Sequence, residues 1–189
     1  RGCTLDRAVS NFESFKNHVS VLFWSLGNES YAGDILVEMN RYYKEKDPDR
    51  LVHYEGVAEN RPYEDLISDM ESQMYAPPEK IKEYLENNPK KPFILCEYMH
   101  DMGNSLGGME SYIRLLDQYE DYQGGFIWDY IDQALFVKDE VTGRDVLRYG
   151  GDFDDRPSDY EFSGNGILFA DRTEKPAMQE VRHYYGLRR

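Results

Sequence analysis

The chain has 189 residues, 40% hydrophobic and 31% charged, which is enough for one domain with a sizeable core. A net charge of −14 with no basic patch argues against a nucleic-acid partner, and no apolar run approaches the length of a membrane span. Two cysteines, Cys3 and Cys96, provide no disulfide framework. Cys96 falls inside an apolar strand pattern where a reduced, buried thiol is expected, and the cytoplasm is the expected compartment.

The chain opens on RGCTLDRAV, with neither an initiator Met nor a charged-then-apolar leader, which reads as an excised or processed segment. The first apolar run, Val21 to Trp24, ends at Gly27, Asn28 and Glu29 and predicts a strand buried on both faces, as in parallel sheets. Ile35, Leu36, Met39, Tyr42 and Tyr43 then follow helical spacing, with Pro48 just beyond. RLVHYEG (50–56) reads as a second strand and residues 68–75 as a third, followed by a short helix near 78–87 that stops before Pro89.

PFILCEY (92–98) predicts the fourth strand. Leu106, Met109, Tyr112, Ile113 and Leu116 predict the next helix, and GGFIWDYID (124–132) the fifth strand. A hairpin is expected around 141–144 and a last helix over 176–185, with Pro176 in its first turn and Gly186 at its end. Alternating strand and helix signals a parallel α/β fold, either a doubly wound sheet or a TIM (β/α)8 barrel. No glycine-rich phosphate loop follows any strand, so nucleotide binding has no support.

Polar residues crowd instead at the strand C-termini: Asn28, Glu29, Glu55, Tyr75, Glu97, Trp128 and Asp129. That is where a barrel builds its active site, so the barrel is the expected fold, although a complete one takes eight strands in about 250 residues. Glu29 and Glu97 each follow an apolar strand. Two carboxylates projecting into one cleft suit retaining glycoside hydrolysis, which needs an acid/base and a nucleophile roughly 5–5.5 Å apart. A glutamate at a strand end is more often an ion-pair partner than a catalyst, so spacing alone leaves both readings open. Asp129 and Asp132 read as rim ion-pair partners.

WSLGNES and ILCEYMHDMGNSLGG closely resemble the two active-site signatures of the β-galactosidases in glycoside hydrolase family 2. The resemblance continues through QGGFIWDYIDQAL, YGGDFDDRPSD and NGILFADRTEKPA, covering nearly everything after about residue 10. It implies Glu29 as acid/base and Glu97 as nucleophile in the hydrolysis of terminal β-galactosides such as lactose. It further implies that Asn28 bonds the sugar 2-hydroxyl, Tyr75 bonds the nucleophile, His100 contacts the galactosyl hydroxyls and Trp128 floors the subsite. Glu29 would ligate Mg2+, and the Phe162 carbonyl with the Asn165 side chain would form part of a Na+ site. The wider family includes β-glucuronidases, a related reading with another sugar.

The upstream block that supplies further magnesium ligands has no counterpart here, so both cation sites are expected to be incomplete. By the resemblance, residues 1–189 are a single partial barrel domain comprising strands 4 to 8 and the closing C-terminal helix. Open sheet edges and an apolar inner face then call for the rest of the barrel or for self-association. A half-barrel serving only as a folding and assembly fragment is the alternative function.

Overall fold

The computed structural model describes residues 1–186. They form two compact units: residues 1–96 with 119–124, and residues 97–118 with those from 125 onward.

The first unit begins with helix α1 (Gly2–Phe15), which the sequence reading did not predict. Leu5, Ala8 and Phe12 mark its inner face; Ala8 and Phe12 are buried and Leu5 packs against the same cluster. Strand β1 (Phe23–Ser25) is shorter than the apolar run that announced it, and Leu22 is 75% exposed. The expectation of a run buried on both faces therefore fails, because only Trp24 and, beyond the strand, Leu26 are fully enclosed.

Helix α2 (Asp34–Lys46) turns Leu36, Val37, Met39 and Tyr43 inward, and Tyr43 stacks on Trp24 with ring centres 5.2 Å apart. Asp34 in its first turn and Lys44 and Lys46 in its last both complement the helix dipole. Strand β2 (Leu51–His53) lies parallel to β1, with Phe23 opposite Leu51 and Ser25 opposite His53. The expected strand 50–56 stops early because Glu55–Ala58 tightens into a 3-10 turn.

A short helix α3 (Glu64–Ile67) leads to strand β3 (Glu71–Met74), so Tyr75 stands just beyond the strand rather than in it. Side chains supply the link from β2 to the approach to β3. Val52 donates its N–H to Asp69 Oδ2 at 2.6 Å, Asp69 returns an N–H to the Val52 carbonyl at 2.8 Å, and Tyr54 N–H reaches Ser68 Oγ at 3.1 Å. Helix α4 (Pro78–Glu86) buries Ile81 and Leu85. Strands β4 (Phe93–Tyr98) and β5 (Tyr122–Ile127) complete a sheet in the order β3-β4-β5. Tyr84, Phe93 and Tyr122 pack ring to ring across it.

The second unit takes up the chain from Glu97. Helix α5 (Met109–Gln118) and helix α6 (Met178–Gly186) share a core of Met109, Ile167, Leu168 and Val181. Glu180 Oε1 accepts the Met109 N–H at 2.8 Å at the N-terminus of α5. The expected hairpin is present as β6 (Leu135–Lys138) paired antiparallel with β7 (Asp145–Arg148), its turn held by Asp139 Oδ2, which accepts the Thr142 N–H. Among the described residues no helix is long and apolar enough to cross a membrane. Cys3 is exposed and Cys96 half-buried, and neither forms a disulfide among the described residues, so the expected burial of Cys96 is only partial.

Candidate active site

In the first unit the site residues gather at the C-terminal ends of β1, β2 and β3. Glu29 is exposed, the fourth residue past the end of β1, with a left-handed backbone (φ 52°) that is uncommon outside glycine. Its N–H donates to Glu55 Oε1 at 2.6 Å. Asn28 is exposed, and its carbonyl accepts Ser30 Oγ–H at 3.2 Å. Ser30 N–H donates to the Tyr54 hydroxyl at 3.0 Å, and that hydroxyl donates in turn to the Ser30 carbonyl. Gly56 is required at its position: a Cβ there would lie 2.5 Å from the Ser30 carbonyl oxygen and 2.6 Å from the Tyr54 ring.

A cavity of about 360 Å³ opens beside this loop, lined by Glu29, Ser30, Glu55, Gly56, Ala58, Glu59, Gln73 and Met74. Tyr75 follows Met74 directly, is 38% exposed, and has φ 53°. Beneath the loop lies a polar relay. Ser25 Oγ is 2.9 Å from His53 Nδ1, and His53 Nε2 is 2.7 Å from Ser72 Oγ. Burial lowers the His53 pKa to about 4, so its ring is neutral at neutral pH.

In the second unit Glu97 is the penultimate residue of β4 and is half-buried; Tyr98, next in line, is buried and its hydroxyl lies 2.8 Å from that of Tyr185. His100 is half-buried with its ring 5.5 Å from that of Phe162. A Cβ at Gly103, Gly107 or Gly108 would meet nothing within 4 Å, and it is the positive φ of Gly103 and Gly108 that favours glycine.

Trp128 lies just past the end of β5 at a cis peptide to Asp129. Its backbone is held on both sides, by N–H to the Tyr98 carbonyl at 3.1 Å and by its own carbonyl accepting Asp101 N–H at 2.9 Å. Asp129 N–H donates to the Asn165 carbonyl at 2.8 Å, which carries the 162–168 segment back to the strand end. Asn165 is 2% exposed and its Nδ2 donates to the Phe162 carbonyl. Lys175 Nζ reaches Asp132 Oδ1 at 2.7 Å, and the same oxygen accepts Gly166 N–H at 2.8 Å. Asp132 is thus the ion-pair partner the sequence suggested, whereas Asp129 has no such pairing among the described residues.

Four buried atoms of this cluster have no hydrogen-bond partner among the described residues: Trp128 Nε1, Asp101 Oδ2, Asp129 Oδ1 and Asn165 Oδ1. Burial raises the carboxyl pKa of both Asp101 and Asp129; Lys175 opposes the rise and Asp132 adds to it. Asp101 escaped the sequence reading because a lone aspartate in a glycine-rich loop looks like a turn residue. Glu55 was visible at its strand end but carried no assigned role.

Among the described residues no group of three or more His, Cys, Asp or Glu side chains is arranged to hold a metal ion. Asn165 presents its Nδ2, not its oxygen, to the Phe162 carbonyl, and its Oδ1 is left without a hydrogen-bond partner among the described residues.

Residues 2–188 match the family model for glycosyl hydrolases family 2, TIM barrel domain. The chain belongs to glycosyl hydrolase family 2. Its α/β fold is that of the family's TIM-barrel domain. The beta-galactosidase large subunits of Latilactobacillus sakei and Lactobacillus helveticus are 74% and 70% identical to it over 183 residues, or 97% of this chain. The chain spans 29% of the length of each of those relatives. Among solved structures, a beta-glucuronidase from Lactobacillus rhamnosus superposes with a TM-score of 0.62 at 18% identity, covering 97% of this chain and 35% of its own. At that identity the likeness concerns the fold alone.

Proposed function

We propose that this family 2 chain is the catalytic segment of a retaining β-galactosidase, with Glu97 as nucleophile and Glu29 as acid/base. The observation that carries the reading is the high identity to two proteins named as beta-galactosidase large subunits. Glu97 near the C-terminal end of β4 and Glu29 in the loop that leaves the C-terminal end of β1, the side on which barrel enzymes place their chemistry, are consistent with it. On this reading β1 to β5 are strands 4 to 8 of the barrel. The remaining strands come from the rest of the barrel, from a companion small subunit, or from self-association.

The Glu97 carboxylate attacks the anomeric carbon while Glu29 gives its proton to the glycosidic oxygen, whose bond to carbon breaks. A covalent galactosyl ester on Glu97 results. Glu29, now ionised, takes a proton from a water that attacks the same carbon, releasing galactose and restoring both side chains. Asn28 holds the 2-hydroxyl, Tyr75 assists release of the galactosyl group, His100 bonds further hydroxyls and Trp128 forms the floor. Phe162 and Asn165 would hold a sodium ion, which when bound supplies positive charge for a sugar hydroxyl.

The test is to treat the assembled enzyme with a 2-deoxy-2-fluoro-β-galactoside bearing a good leaving group and to map the labelled peptide. A fluorogalactosyl ester on Glu97 is expected; turnover with the ester on another residue overturns the assignment. Parallel assays on β-glucuronides separate the related sugar reading.

A second reading, that this segment alone is an inactive assembly fragment, has one observation behind it. Phe126, Tyr130, Leu135 and Phe136 of the second unit are each more than half exposed, a surface that another chain segment would cover. The isolated chain is accordingly expected to be weakly active or inactive.

A further inference from the structure

We propose that the turn Tyr54-Glu55-Gly56 is a clamp that sets the aim of the Glu29 carboxyl, with Glu55 as its positioning residue. The inference rests on the reading of Glu29 as the acid/base. Glu29 has a left-handed backbone, a conformation that a glutamate does not keep unless its surroundings hold it there.

The holding groups all come from one turn. Glu55 is 7% exposed, and its Oε1 accepts the Glu29 N–H at 2.6 Å, a short, charge-assisted bond made at the residue that must be aimed. One residue earlier, the Tyr54 hydroxyl bridges both backbone groups of Ser30, the neighbour of Glu29 on the other side. One residue later, Gly56 brings the turn against the Ser30 carbonyl so closely that no side chain fits. The two peptide units around Glu29 are therefore held from three consecutive residues of the next strand's end. Glu29 and Glu55 also line the same cavity. The clamp fixes where the acid proton is delivered; it does not itself touch the reacting atoms.

Misplacing an acid/base group damages one kind of substrate selectively. A galactoside whose departing alcohol is weakly acidic needs the proton, whereas a dinitrophenyl galactoside leaves without it. In the assembled enzyme, kcat/KM of Glu55→Ala for a phenyl or alkyl galactoside is expected to fall about 30–100-fold, in line with the cost of an ångström-scale misplacement. For the dinitrophenyl galactoside it is expected to change less than about threefold. Glu55→Gln keeps an acceptor oxygen at the same place, so it is expected to stay within about threefold of the parent on both substrates.

A uniform loss across leaving groups, or no loss, overturns the proposal. Should Glu55→Ala fail to fold, Tyr54→Phe removes only the hydroxyl contacts to Ser30, and it too must lose more on the poor leaving group. Glu29→Gln separates the two claims. Leaving-group selectivity there with none in the clamp variants refutes the clamp alone, and its absence in Glu29→Gln sinks both.

Discussion

His53 and Ser72 are joined by a buried hydrogen bond, Nε2 to Oγ at 2.7 Å, and the other ring nitrogen of His53 meets Ser25 Oγ at 2.9 Å. Three successive strands, β1, β2 and β3, are thereby tied side chain to side chain beneath the loop that carries Glu29. Either serine hydroxyl can donate or accept, so the tie itself does not demand one tautomer. It is burial, lowering the His53 pKa to about 4, that keeps the ring neutral at neutral pH.

This gives a direction for stability against pH. Between the ordinary histidine value of 6.5 and about 4 the unfolded chain binds a proton that the folded chain refuses, so stability falls as the pH drops through that window. The loss is complete near pH 4, amounts to on the order of 3 kcal/mol, and is absent at pH 7. Denaturant midpoints measured at pH 7, 5.5 and 4.5 check it. His53→Gln, which can hydrogen-bond at both ends without titrating, is expected to flatten the dependence; an unchanged slope in that variant removes His53 as its source.

Asp132 and Lys175 form the second unit's most enclosed ion pair, at 2.7 Å with both side chains less than a fifth exposed. Removing only one partner strands the other charge. Lys175→Met is therefore expected to destabilise by about 3 kcal/mol, and the double variant Lys175→Met with Asp132→Asn by less than the single change. Urea unfolding of the three variants measures it, and strict additivity would contradict the coupling.

Gly166 is tightly enclosed by backbone. A Cβ there would come within 2.2 Å of the Asp132 nitrogen, at the point where the 162–168 segment returns to the end of β5. Backbone has nowhere to retreat at that spacing. Gly166→Ala is expected to cost about 3 kcal/mol or more and to weaken binding through Asn165 and Trp128 before it affects the first unit. Near-ultraviolet circular dichroism with a denaturant titration reads both effects, and a parent-like midpoint refutes the steric argument.

Glu29 and Glu97 are expected to differ in what rescues them. Azide can attack the galactosyl ester in place of activated water, so it should raise turnover of a dinitrophenyl galactoside by Glu29→Ala and leave β-galactosyl azide as product. For Glu97→Ala the same anion would occupy the nucleophile's place and give the α-azide. Product stereochemistry by proton NMR distinguishes them, and reversed outcomes would exchange the two roles.

Taken by itself, the sequence determined the order of β1 to β5 with helices α2, α4, α5 and α6, the turn at 141–144, and that both glutamates follow apolar strands. These follow from side-chain periodicity and from local glycine and proline chemistry, which act within one element. Helix α1 was missed although Leu5, Ala8 and Phe12 carry a helical spacing, because a stripe of three among many polar residues is faint. Strand limits were overextended for a related reason: exposed Leu22 and half-buried Val21 are as apolar as buried Trp24, and hydropathy alone does not say which one a neighbour covers. Only the tertiary structure decided that Glu55 would hold the Glu29 peptide, that His53 would be kept neutral, and that Asp132 rather than Asp129 would take Lys175. Each of these depends on groups distant in sequence meeting within about 3 Å, and a hydrogen bond or a shifted pKa is set by that meeting rather than by residue type.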